Sequence, residues 1–256
     1  MLDKKTLCQQ LDKLGIQPGM DLLVHSSLRK LGPVDGGADT IIDCLLELLG
    51  KSGTLMLSTV SGSVNPQQPV FHVEYTPASV GILPNIFRQR SGVIRSLHPV
   101  HSIAAIGAEA EFFCAGHLQA HTPWSPDSPY GKLMRRPNGH ILFLGTDFTS
   151  NTCMHALEIE ARVPGLHTRH SSTLQICDYQ NNWYQLQHHW HAPKKDNYVD
   201  MEHWVASAGG LQYGVVGNSI SRLSNAVRLR ESLLPVLQKN PELVICRLSD
   251  NDFIWE

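Results

Sequence analysis

No run of lysines and arginines longer than a pair occurs in this sequence. Its 21 basic residues face 23 acidic ones, for a formal net charge of -2. That balance argues against nucleic acid as a partner. Apolar runs are too short to cross a bilayer, so no membrane association is expected. The opening Met1-Leu2-Asp3-Lys4-Lys5 lacks the apolar core of a secretory leader. The six cysteines (Cys8, Cys44, Cys114, Cys153, Cys177, Cys246) form no CxxC pair. Scattered in this way they read as reduced, mostly buried thiols of a cytoplasmic protein. Internal repeats and low-complexity segments are absent as well.

The composition is globular, with 42% hydrophobic residues in a chain of 256. That length can bury a substantial core. Asp3 is a candidate cap for a first helix with Leu7, Leu11 and Leu14 on one side and Gly15 as its stop. Asp21 to Val24 reads as a buried strand, Ala38 to Leu49 as an apolar helix, and Thr54 to Thr59 as a second buried strand. This β-α-β order indicates an α/β sheet. Residues 61–79 form a loop with three prolines, long enough to be functional and possible as a lid. Gly81 to Arg90 reads as helix, Val93 to Ser96 as an extended lead-in, and Ile141 to Leu144 as a strand closed by Gly145.

Beyond Pro164-Gly165 the chain becomes rich in histidine and tryptophan. Alternation in Thr173–Cys177 and Trp183–Leu186 predicts an antiparallel hairpin around Gln180-Asn181-Asn182. A helix is expected from Ser219 to Gln238, broken by Asn240-Pro241, with a last strand from Leu243 to Cys246.

The segment Asn151-Thr152-Cys153-Met154-His155-Ala156-Leu157-Glu158 follows the 141–144 strand. Open α/β sheets place their chemistry at the carboxyl ends of strands. His155 and Glu158, three residues apart, share one helical face, so the carboxylate can orient the imidazole and raise its basicity.

Three further blocks accompany it: Val24-His25-Ser26-Ser27-Leu28-Arg29 with Gly36-Gly37, His98-Pro99-Val100-His101-Ser102, and Ser125-Pro126-Asp127-Ser128-Pro129. In this order and spacing the chain resembles the aminoglycoside 3-N-acetyltransferase family over nearly its whole length. The resemblance implies a three-layer α/β/α sandwich with a mixed central sheet, to which the hairpin adds a small antiparallel β element. It also implies acyl transfer from acetyl-CoA, or another acyl-CoA, to a primary amine. A single domain over 1–256 is expected. Residues 1–165 would form its cofactor and catalytic part, 166–215 the acceptor side, and 216–256 a terminal helix and strand. No metal is expected, and a homodimer is possible.

Each block has a physical role in that reading. His25, Ser26, Ser27, Leu28 and Arg29 sit where a strand ends and would meet the CoA phosphates. Val100, His101 and Ser102 would pair their backbone with pantetheine, like an added strand. His98-Pro99 reads as structural. His155 is the candidate general base, directly or through a water, and Glu158 its orienting partner. Thr152, helped by N–H groups at the helix start, would stabilise the oxyanion, one such donor being worth about 3 kcal/mol.

The acceptor side departs from what a polycation requires, since few carboxylates are in prospect. His72, Glu74, Trp124, His189 and His191 are the candidate acceptor contacts. Neutral His and Trp faces suit a sugar ring or another small amine as well as an aminoglycoside. Two other readings compete. One is a zinc hydrolase that gathers His188, His189, His191, His203, His167 and His170, although no HExxH helix is present. The other is a non-catalytic carbohydrate- or nucleotide-binding protein, which would have no use for Thr152, His155 and Glu158.

Overall fold

Helix α1 (Lys4–Leu14) starts where the Asp3 carboxylate accepts the Thr6 N–H at 2.8 Å, and it ends at Gly15, φ 111°. These caps are the ones expected from the sequence. The computed structural model describes residues 1–192 and 198–244. The strands in chain order are β1 (Asp21–Ser26), β2 (Thr54–Ser58), β3 (Val70–His72), β4 (Ile94–Arg95), β5 (Ile103–Gly107), β6 (Gly139–Leu144), β7 (His167–Cys177), β8 (Trp183–His191), β9 (Leu211–Val216) and β10 (Ser219–Asn225).

Seven strands form a central mixed sheet in the order β4-β5-β2-β1-β6-β10-β9. Its middle, β2-β1-β6, is parallel, and antiparallel strands flank it on both sides. The central strands are apolar on both faces because both faces are covered. Leu22, Val24, Leu55, Leu57, Leu142 and Leu144 pack on α1, α3 (Gly37–Leu49) and α4 (Ile82–Phe87), with the short α2 (Leu28–Leu31) beside them. Leu23, Met56, Ile141 and Phe143 face the other way. They meet α5 (Ala110–Cys114), α6 (Pro129–Leu133), α7 (Cys153–Glu160), α8 (Glu202–Ser207) and α9 (Ala226–Lys239). The result is the expected three-layer α/β/α sandwich.

The hairpin is present as β7 and β8, and β3 pairs parallel with β7 to make a second, three-stranded sheet. The 61–79 segment is therefore not a free loop. The buried Arg95 guanidinium donates to the carbonyls of Thr76 (2.6 Å), Thr59 (2.8 Å) and Val73 (3.3 Å), and to the Ser61 hydroxyl at 3.0 Å. The backbone N–H of Arg95 also donates to the Tyr179 hydroxyl at the hairpin turn, 3.0 Å away. Burial brings the Arg95 pKa down to about 9. A buried cation with this many acceptors pins both sheets together rather than letting 61–79 swing as a lid.

Three expectations are corrected. Ser219–Asn225, read as the start of the last helix, is strand β10; α9 begins only at Ala226, where Asn225 caps it by accepting the Arg228 N–H. With β9 this strand extends the central sheet. Leu243 lies in a short 3-10 turn, Pro241–Leu243, not a strand, and the remainder of that predicted strand, 245–246, falls outside the described residues. Cys8 and Cys44 are joined by a disulfide between α1 and α3, so these two are not the reduced thiols expected.

Candidate active site

Strands β1 and β6 run parallel and end side by side, with Ser26 opposite Leu144. Gly145 then turns the chain with φ 69°. A Cβ there would stand 2.9 Å from the Ser27 carbonyl oxygen, so the close approach of the two strand ends requires glycine. The chain next enters α7, which carries His155 and Glu158.

The helix start is organised by Asn151. Its Oδ1 accepts the Cys153 N–H at 3.1 Å, and its backbone oxygen accepts the Met154 N–H at 3.1 Å. The His155 N–H goes to the Thr152 oxygen at 3.2 Å. The N–H groups of residues 153–155, expected to help hold an oxyanion, are thus already engaged. Thr152 keeps its side chain out of capping. It lines a cleft of about 200 Å³ together with His25, Ser26, Ser58, Ser150, Val60, Val24, Val80 and Pro84.

His155 Nδ1 lies 3.0 Å from Glu158 Oε2 and 2.9 Å from the hydroxyl of Tyr198, which also donates to Glu158 Oε1 at 3.0 Å. Glu158 is wholly buried, and the His155 side chain is 15% exposed. An ionised carboxylate can only accept, so Nδ1 carries the proton toward Glu158 and leaves Nε2 with its lone pair. Tyr198 was not foreseen. It lies 40 residues from Glu158 in sequence, and no local pattern marks it.

Around His155 stand Trp124 (ring centroids 4.5 Å apart), His191 (4.6 Å) and Tyr198 (5.6 Å). Trp124 is buried and also stacks near His101 at 4.5 Å and His167 at 5.6 Å. It is presented by the proline-rich block, where Ser128 caps α6 by accepting the Gly131 N–H and Pro129 takes the first helical position. Burial lowers His101 well below the ordinary imidazole range, with the neighbouring imidazoles adding to the effect, and brings His167 down to about 4. Cys153 is fully buried, which pushes its thiol pKa up, away from a nucleophilic thiolate.

The remaining candidate residues divide. Among the cofactor candidates, His25 and Ser26 line the cleft beside Thr152, and Ser27 precedes α2 with its hydroxyl out of capping. Leu28 packs on the core, while Arg29 is exposed. Burial brings His25 down to about 4. Val100 and Ser102 give their carbonyls to the Ser61 and Thr59 N–H groups, and His98 Nδ1 accepts the N–H of both Val100 and His101. The Ser102 hydroxyl is turned into the Arg95 network, 3.0 Å from Nε. The backbone expected to pair with pantetheine is therefore used within the chain, and His98 is structural, as expected.

On the acceptor side only Trp124 and His191 meet His155. His189 is exposed on the Thr168 carbonyl, 3.1 Å away, while His191 packs on His155. His72 lies on β3 against Tyr75, and Glu74 is exposed. Among the described residues no hydrogen bond or ring contact joins either of them to His155.

Among the described residues the six histidines of the zinc reading do not gather into one cluster. His188 packs on His98 and Trp190, and His203 packs on Trp204.

Known proteins decide the family. The profile described as aminoglycoside 3-N-acetyltransferase matches residues 23–237. Aminoglycoside N(3)-acetyltransferase IV of Salmonella sp is 30% identical over 243 residues, covering 93% of this chain and 88% of that protein. The chain belongs to the aminoglycoside 3-N-acetyltransferase family. It is thus an N-acetyltransferase by family, with acetyl-CoA as co-substrate. The crystal structure of AAC(3)-IVa apoenzyme matches with a TM-score of 0.83 at 26% identity, covering 98% of this chain and 94% of that one. AAC-IIIb, solved as a binary complex with CoASH, shares the fold with a TM-score of 0.80 at 24% identity over 96% of this chain and 98% of that one.

Proposed function

We propose that this chain moves an acetyl group directly from acetyl-CoA to a primary amine of an aminoglycoside, amino sugar or related small molecule, with His155 as general base. The observation that carries this is the closed arrangement of His155 Nδ1, Glu158 and the Tyr198 hydroxyl, all within 3.0 Å of one another. It holds the tautomer whose Nε2 can take a proton.

The pantetheine arm would enter the cleft between Ser26 and Thr152 and bring the thioester carbonyl to the start of α7. The attacking amine loses its proton to His155, Glu158 stabilises the imidazolium that forms, and as the thioester C–S bond breaks that proton passes to the departing CoA thiolate. The Thr152 hydroxyl is the donor in place to meet the developing oxyanion. Direct transfer needs no protein nucleophile, in keeping with the buried, protonated Cys153 thiol. Trp124 and His191 offer ring faces on which a sugar ring stacks, so a lightly charged amino sugar suits this site as well as a polycation.

Thiol release from acetyl-CoA, measured with aminoglycosides and amino sugars as acceptors, tests the reaction. His155→Ala is expected to lower kcat by about 10²–10⁴-fold while acetyl-CoA binding by calorimetry stays intact. Turnover by the variant at the parent rate would sink the mechanism.

A further inference from the structure

His155, Glu158 and His191 bring one nitrogen or oxygen donor each to within 4.8 Å of one another. Two imidazoles and a carboxylate, with one position left for water, make up the donor set of an open zinc site. Ligands about 2.0–2.2 Å from a tetrahedral ion stand roughly 3.3 Å apart. The 3.0 Å between His155 Nδ1 and Glu158 Oε2 is already close to that spacing. His191, whose ring centroid is 4.6 Å from that of His155, closes the triangle by a rotation of its side chain. Glu158 is further fixed by the Tyr198 hydroxyl on its other oxygen, the outer contact that orients a ligating carboxylate.

We propose that this trio is an inhibitory site for a borderline divalent cation, Zn²⁺ above all, set within the acetyltransferase centre itself. The ion takes the Nδ1 lone pair of His155 and one oxygen of Glu158. The proton that Nδ1 held moves to Nε2, so the imidazole stays neutral and no proton is lost. Nε2 then has no lone pair for the acceptor amine, and the base is switched off. Mg²⁺ and Ca²⁺, which demand oxygen ligands, do not compete for this donor set. The binding rests on geometry alone; the inhibition rests on His155 being the general base.

Co²⁺ is the probe, added to the chelator-washed full-length chain. A tetrahedral Co²⁺ absorbs in the visible, so one equivalent per chain is expected to give those bands, and Zn²⁺ to abolish them. The bands should be lost in Glu158→Gln and in His191→Asn, the latter keeping a polar side chain of similar reach. Saturating Zn²⁺ should lower transferase activity at least tenfold, EDTA should restore it fully, and Mg²⁺ should have no effect. Absent bands, or bands that survive in both variants, would overturn the site. Bands that behave as expected without any loss of activity would leave the metal bound but overturn its inhibition and, with it, the role of His155.

Discussion

The hydroxyl of Tyr198 stands 2.9 Å from His155 Nδ1, on the side of the ring away from the nitrogen that would take the acceptor's proton. It also donates to Glu158 at 3.0 Å, so one phenol braces both partners of the pair. A hydrogen bond to a charged group is worth about 1.5–3 kcal/mol. Tyr198→Phe is therefore expected to lower kcat roughly tenfold or more, with the acetyl-CoA KM unchanged. A loss confined to KM would contradict this bracing role.

Cys153, next to Thr152, is the one nucleophile adjacent to the reacting centre, and it is fully buried. Cys153→Ala is expected to keep turnover within a few-fold of the parent. Rapid quench with acetyl-CoA alone should show no acetylated chain by mass spectrometry. A stable acetyl-enzyme lost with the cysteine would reverse the conclusion and require a two-step reaction.

Acid should unfold this protein early. Burial lowers His25, His167 and His188 to about 4 and His117 to about 3, from an ordinary 6.5. The unfolded chain takes up these protons near pH 6.5, whereas the folded one resists them until pH 4 or below. The stability that the neutral rings confer is complete above pH 6.5 and drains away as pH falls toward 4. Each ring contributes up to about 1.4 kcal/mol per pH unit in that window. Urea midpoints measured between pH 7 and pH 4.5 should fall steeply. A flat profile would mean that the rings are already protonated in the fold.

The link between Cys8 and Cys44 closes a separation of 36 residues, a loop for which a crosslink is worth about 4 kcal/mol. In non-reducing denaturant at most four of the six cysteines should react with a thiol reagent. Six reactive thiols would show that the pair is reduced.

Where local chemistry dominates, sequence and structure agree. The Asp3 cap, the Gly15 stop, the buried runs of β1, β2 and β6, and the i, i+3 spacing of His155 and Glu158 are properties of short windows. The stretch 219–225 misled because Ser219-Ile220-Ser221-Arg222-Leu223-Ser224 adjoins a long helical pattern, yet in the fold it lies inside the sheet, between β6 and β9. There, pairing with β6 and β9 outweighs local preference. The cysteine pair was missed because spacing alone does not tell which thiols will meet.

The sequence by itself determined the layered α/β architecture, the family and the helix that carries His155 and Glu158, because periodicity, caps and short motifs are local. Only the tertiary structure decided that Tyr198 braces that pair, that Trp124 and His191 wall it, and that Arg95 ties 61–79 down. Each of these contacts joins residues far apart along the chain, and long-range packing, not neighbouring sequence, selects them.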